Sequence, residues 1–154
     1  MIDPVRKTVT VEAGVSAAFH RFTAELGAWW PLGTFSVSLS GEATAEMEGR
    51  VGGRILERHD GEEHMWGMVT AWEPPRRVAF TWHPGREAST AQAVEVTFES
   101  TGTGTRVTLV HTGWEALGED APGTRARYDT GWERVLGDYI RAGAQTSVAS
   151  RDSR

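Results

Sequence analysis

Few residues in this chain can move protons or hold ions, and their spacing places them. Glu57 and His59 follow Ile55 at period two along one strand-like run, and His111 follows Val107 and Leu109 at the same period along another. On an inward face, all three would be polar groups in an apolar interior. An unpaired carboxylate or imidazole is costly there, so such groups are paired, hydrated or functional. Two readings stand on the residues alone. Glu57, His59 and His111 form satisfied polar contacts at a cavity floor, or Glu57 or His111 acts on a bound ligand as acid, base or hydrogen-bond anchor.

Other chemistries find less support. His59 and His64 sit across a tight turn and His20 and His83 lie far off, with no H-x-H, H-E-x-x-H or carboxylate–histidine facial pattern, so no metal site is expected. The chain has no cysteine, which removes thiolate nucleophiles, disulfides and cysteine-ligated metals together. Ser36, Ser38 and Ser40 alternate along a loop without a nucleophile elbow. Gly49-x-x-Gly52-Gly53 and Gly102-Thr103-Gly104 lack the spacing and following helix of a phosphate loop and read as turns, so no cofactor is expected. Arg76-Arg77 and Arg125-x-Arg127 read as solvated charge.

The aromatic residues carry the other signal. Seven tryptophans in 154 residues exceed what plain packing of a small core asks for, since each brings bulk and an N–H that needs a partner. A Trp-rich core and an aromatic-lined cavity both fit. Phe80 and Trp82 on a strand, and Tyr128 and Trp132 on a helix, are assigned to a shared wall. Trp29 and Trp30 either frame its mouth or staple the first helix to the sheet. Trp66, Met68 and Trp72 fall on one parity of their strand and Met65 and Val69 on the other, so this strand reads as apolar on both sides. One side is then expected to meet a second copy of the chain or to be covered by loops.

The elements that must position these groups are legible. Val5, Val9 and Val11 alternate with polar residues as a half-buried strand, and Ser16 can cap a helix through about Gly27 with Phe19, Phe22 and Leu26 on one face. Trp29-Trp30-Pro31 ends it. Six short strands follow, with turns at Val51-Gly52-Gly53, Asp60-Gly61, Glu73-Pro74-Pro75-Arg76, His83-Pro84-Gly85 and Thr101 to Gly104. Gly113 to Gly123 reads as a loop. Tyr128, Trp132, Val135, Leu136, Tyr139 and Ile140 then make the apolar stripe of a helix over Thr124 to Ala144. A long amphipathic helix after a strand meander must bury its stripe on a sheet face, which makes the fold class α+β. A curved antiparallel sheet of about seven strands, wrapped around that helix, is the helix-grip arrangement.

With 39% hydrophobic and 24% charged residues, the chain has globular composition. It reads as a single domain over 1–145 followed by a flexible polar tail at 146–154. The net charge of −5 argues against nucleic acid and anionic membranes, which need clustered basic charge. No apolar run spans a bilayer and Met1-Ile2-Asp3-Pro4 leads directly into a strand, so a cytoplasmic protein is expected.

Several motifs carry a resemblance. Gly53-Arg54-Ile55-Leu56-Glu57, Asp60-Gly61, Trp66-Gly67-Met68-Val69, Trp72-Glu73-Pro74-Pro75-Arg76-Arg77-Val78 and Phe80-Thr81-Trp82 stand in order. With Trp29-Trp30-Pro31, Thr105 to Trp114, and Gly131-Trp132 to Val135-Leu136, they resemble the activator-of-heat-shock-ATPase-homologue branch of the START-like (SRPBCC) superfamily. The resemblance runs from about Val5 to Ala142 and implies the helix-grip fold. For function it implies a range, because one fold hosts many activities. The leading expectation is an internal cavity for a small apolar or aromatic molecule, with Trp30, Glu57, His59, Phe80, Trp82, His111, Tyr128 and Trp132 as the ligand-binding set. The alternative is an enzyme doing proton-transfer chemistry of cyclase, dehydratase or hydrolase type on that ligand. A chaperone partner, implied by the family's name, is disfavoured because these 154 residues hold no second domain. A homodimer is expected from the doubly apolar strand.

Overall fold

In the computed structural model, residues 2–152 are described, with side chains through residue 143. The tail expected at 146–154 lies outside the residues whose side chains are described. Seven antiparallel strands form one curled sheet in the order β1-β7-β6-β5-β4-β3-β2. They are β1 (Val5–Val11), β2 (Thr44–Met47), β3 (Arg54–His59), β4 (Glu62–Glu73), β5 (Arg77–Trp82), β6 (Gln92–Ser100) and β7 (Thr105–Thr112). Helices α1 (Val15–Thr23) and α2 (Leu26–Trp29) lie between β1 and β2, and the long α3 (Ala121–Asp152) ends the chain. The single helix expected from Ser16 to Gly27 is therefore two, with the backbone leaving helical geometry at Glu25 (φ −105°, ψ 22°). The expected loop after Gly113 holds a 3-10 segment, Trp114–Asp120.

Period-two alternation decides which face is inward, and the register confirms it across strands. Val69, Phe80, Val94, His111 and Val5 are successive cross-strand neighbours, and all are buried. The stripe of α3 covers this concave face, with Trp132, Val135, Leu136 and Tyr139 all buried. Polar contacts fix the seating of α3. Lys7 of β1 bridges Asp129 at 2.7 Å and Glu133 at 2.9 Å, and the Tyr139 hydroxyl donates to the Ala18 carbonyl at 2.7 Å.

Strand β4 departs from simple alternation, which corrects its sequence reading. Ile55 faces Gly67 while Leu56 faces Met65, so Trp66 is an extra residue; Val69 faces Phe80 while Ala71 faces Ala79, so Thr70 is another. Each bulge inverts the parity. Trp66 and Val69 consequently both enter the core, Trp72 packs edge-on against Phe19, and Met68 is left 41% exposed on the outer face. The register also puts His64 opposite Glu57 and His59 opposite Glu62, so the two histidines do not face each other.

Gly67 makes the first bulge possible, because a Cβ there would sit 1.8 Å from the Thr81 carbonyl oxygen. Relief requires parting β4 from β5. We expect Gly67→Ala to cost about 3 kcal/mol in urea unfolding, the upper end of overpacking penalties. A change below about 0.5 kcal/mol would mean that the strands part freely at this point.

Candidate functional site

A cavity of about 610 Å³ opens where α3, the end of β5 and the loop after α2 meet. Trp30, Phe35, Trp82, Tyr128 and Trp132 give it aromatic walls, and Val37, Pro84 and Val135 add aliphatic surface. Its polar side chains are those of Thr34, Ser36, Thr124 and Tyr128, with hydroxyls, and of Arg86 and Arg127. Among the described residues, no carboxylate or imidazole lines it.

Three indoles line the back of this space, and a fourth, Trp66, packs behind them. Trp30 lies 5.2 Å from Trp66, 5.7 Å from Trp82 and 5.8 Å from Trp132 between ring centroids, and Trp82 lies 5.7 Å from Trp132. Tilted and edge-on contacts of this kind are favourable beyond their buried area. Every N–H in the group has an acceptor: the Phe35 carbonyl for Trp30, Glu57 for Trp66, the Tyr128 hydroxyl for Trp82 and His111 Nδ1 for Trp132. Trp29 is turned away. It packs on Phe22 and Tyr139 and donates to the Arg21 carbonyl, so it staples α1 and α3 rather than framing the mouth.

His111 stands behind the wall. Its Nδ1 accepts from Trp132 at 3.0 Å, so Nε2 carries the proton and donates to Gln92 Oε1 at 3.2 Å. The ring stacks on Trp114 at 4.0 Å and is wholly buried, and desolvation pushes its pKa down to about 3. Both nitrogens of this neutral imidazole are occupied by protein.

Glu57 is also wholly buried, and its carboxylate is saturated. Oε1 accepts from the Val37 N–H at 2.8 Å and Trp66 Nε1 at 3.0 Å, and Oε2 accepts from the Ser38 N–H at 3.0 Å and the Ser38 hydroxyl. A carboxylate offers about four lone-pair sites, and four donors fill them. Burial alone would raise its pKa; the hydrogen bonds from Ser38, Val37 and Trp66 outweigh it and hold the group below the usual carboxylate range. Glu57 thereby ties down the loop that carries Phe35 and Val37, the cavity's outer wall.

The other serines of that loop serve it too, with Ser36 Oγ accepting from Leu39 and Ser40 Oγ from Glu42.

Of the residues singled out by sequence, Trp30, Trp82, Tyr128 and Trp132 meet at the cavity. Phe80 and His111 lie in the core behind them, Phe80 in contact with Trp82. His59 is apart, half-buried at the β3–β4 turn with Asp60 at 3.7 Å. No cluster of three potential ligands for a metal occurs among the described residues.

Sequence reasoning missed Phe35, Val37, Arg86 and Arg127. The apolar residues of the 32–41 loop were the available signal for the first two. The arginines carry no local signal, because they come from a turn after β5 and from the first turns of α3. They approach Tyr128, whose hydroxyl accepts from Trp82 Nε1 at 3.2 Å and whose own proton has no protein acceptor among the described residues. Burial pushes the Tyr128 phenol above its usual range despite the opposing Trp82 hydrogen bond and the Arg86 and Arg127 charges, so it stays a proton donor at neutral pH.

Comparison with known proteins gives this geometry a context. No protein of curated function matches the sequence. Among solved structures, an anthrahydroquino-γ-pyrone synthase, Txn09, is 36% identical over 79% of this chain and 84% of its own, with a TM-score of 0.57. The Aha1 dimer from Colwellia psychrerythraea is 18% identical with a TM-score of 0.68, covering 93% of this chain and 96% of its own. Protein MLL2253 from Mesorhizobium loti is 17% identical with a TM-score of 0.68, covering 90% and 94%. These last two likenesses show the fold. A family profile matches residues 13–143, and the chain therefore belongs to the family of Activator of Hsp90 ATPase homolog 1-like proteins.

Proposed function

We propose that the cavity binds a planar aromatic molecule of the polycyclic, polyketide type. The observation that carries this reading is the wall of Trp30, Phe35, Trp82, Tyr128 and Trp132 around about 610 Å³, a volume within the range of small-molecule sites. Ring faces and edges set around a slot favour a flat conjugated guest over a branched aliphatic one. A second reading has one specific support, the 36% identity to a pyrone-forming synthase. Closing such a ring joins an oxygen nucleophile to an electrophilic carbon and leaves negative charge to be protonated. Tyr128, neutral and with a free O–H, is the group in this cavity able to supply that proton. The chemistry would then use Tyr128 rather than Glu57 or His111, whose polar atoms are engaged with protein.

Titration with 1,8-dihydroxyanthraquinone, followed by tryptophan emission, tests the binding reading. Saturable quenching is expected with micromolar affinity, about −8 kcal/mol. Phe35→Ala removes part of the wall and should weaken it about tenfold, while Trp72→Phe, outside the cavity, should leave it unchanged. Absence of saturation, or equal loss in both variants, would sink the reading.

Self-association is a separate proposal. Its support is the exposed Met68 on the outer face of β4, together with the dimeric Colwellia relative. A single species of monomer mass from micromolar to millimolar concentration in sedimentation would rule it out.

A further inference from the structure

We infer that the ligand is held as an anion, with an ionised oxygen on its aromatic frame seated at the cavity lip between Arg86 and Arg127 and facing the Tyr128 hydroxyl. This rests on the aromatic-binding reading above and adds the charge of what is bound.

The guanidiniums of this chain differ in what they hold. On the sheet, Arg54, Arg58, Arg77 and Arg106 each hold a carboxylate at 2.5–3.2 Å. Arg127 holds none among the described residues; its Nη2 donates to the Thr124 hydroxyl at 3.1 Å, beside the cavity. Among the described residues the Arg86 guanidinium pairs with Asp120 alone, at 3.4 Å, and that carboxylate is 67% exposed. Such a pair is worth little and is readily exchanged for a better-placed anion. Both arginines line the same cavity as Tyr128, whose O–H has no protein acceptor among the described residues.

Two cations and one neutral donor thus border an apolar slot that carries no acidic side chain of its own. An apolar guest alone would leave the exposed Arg86 and Arg127 to water and the Tyr128 O–H without an acceptor among the described residues. A carboxylate or phenolate on the rim of a flat ring system satisfies them, and charge-assisted bonds to arginine are the stronger kind. The guest's rings would stack among the indoles while its anionic edge points to the lip.

The test compares anthraquinone-2-carboxylate with its neutral isostere anthraquinone-2-carboxamide by calorimetry on the full chain. The carboxylate should bind about tenfold tighter, and its affinity alone should fall as salt rises. The double variant Arg86→Ala/Arg127→Ala should bring the carboxylate down to the carboxamide's affinity and leave the carboxamide unchanged. Since the salt comparison uses the unaltered protein, it decides the matter even if the variant is unstable. Titrating 2-hydroxyanthraquinone across its ionisation separates the two sources of charge. Tightening as the phenol ionises extends the site to phenolates, and flat affinity restricts it to carboxylates. Equal binding of carboxylate and carboxamide overturns the anion inference alone, as does a preference that survives the double variant. Binding of neither overturns the cavity reading and this inference with it.

Discussion

Glu57→Gln is expected to destabilise the fold by about 3 kcal/mol and to free the 32–41 loop. The amide keeps the shape of the side chain but places an NH2 where an oxygen now accepts. Turned one way, that NH2 meets the N–H groups of Val37 and Trp66; turned the other, it meets the Ser38 N–H and hydroxyl. At least one buried donor is orphaned either way, and each such loss costs about 1–3 kcal/mol. Because Phe35 and Val37 ride on this loop, ligand affinity should fall although Glu57 itself does not line the cavity. Urea unfolding gives the stability, and amide hydrogen exchange at Val37 and Ser38 reports the loop. Unchanged exchange at both amides, with stability within about 0.5 kcal/mol of the parent, would show that Glu57 does not hold the wall.

The second large effect is on pH dependence. The His111 pKa is about 3 in the folded protein, against 6.5 when the chain is unfolded. Between these values the unfolded chain binds a proton that the native state refuses, so stability is full above about pH 6.5 and declines as the pH falls. The slope is about 1.4 kcal/mol per pH unit, or about 3 kcal/mol by pH 4.5. Glu57 acts in the same direction in a lower window. Its depressed carboxyl contributes stability above its ordinary value of 4.5, lost only as the pH falls below that. The limb between pH 6.5 and 4.5 is therefore assigned to His111. His111→Gln presents one donor to Gln92 and one acceptor to Trp132, and it should flatten that limb while lowering stability at pH 7 only modestly. Stability curves of parent and variant that run parallel through this window would contradict the assignment.

How far the sequence carries differs from element to element, for physical reasons. Strands β5, β6 and β7 keep strict period two, so alternation alone places Phe80, Trp82, Val94, Val96, Leu109 and His111 inward. The α3 stripe is equally plain, because Trp132, Val135, Leu136 and Tyr139 follow helical spacing without interruption. Strand β4 misleads because Trp66 and Thr70 are extra residues that invert parity, and alternation cannot reveal a bulge that depends on the backbone of a neighbouring strand. The 32–41 loop resists for a related reason. Its shape is set by Glu57, on a different element, and nothing local in Phe35, Val37 or Ser38 announces that contact. Spacing marks Glu57 and His111 as inward polar groups, but their partners decide their roles, and those partners come from distant parts of the chain. Arg86 and Arg127 each look like ordinary surface charge until the fold brings a turn and a helix to one lip.

Everything proposed for the cavity depends on a flat aromatic guest occupying the space between α3 and the sheet. Intermolecular nuclear Overhauser effects from bound anthraquinone-2-carboxylate test this most directly, since they report which rings the guest touches. Contacts to the ring protons of Trp30, Phe35, Trp82, Tyr128 and Trp132 are expected. Contacts confined to the groove beside Trp72 and Pro74, or to Met68 on the outer face, would contradict it.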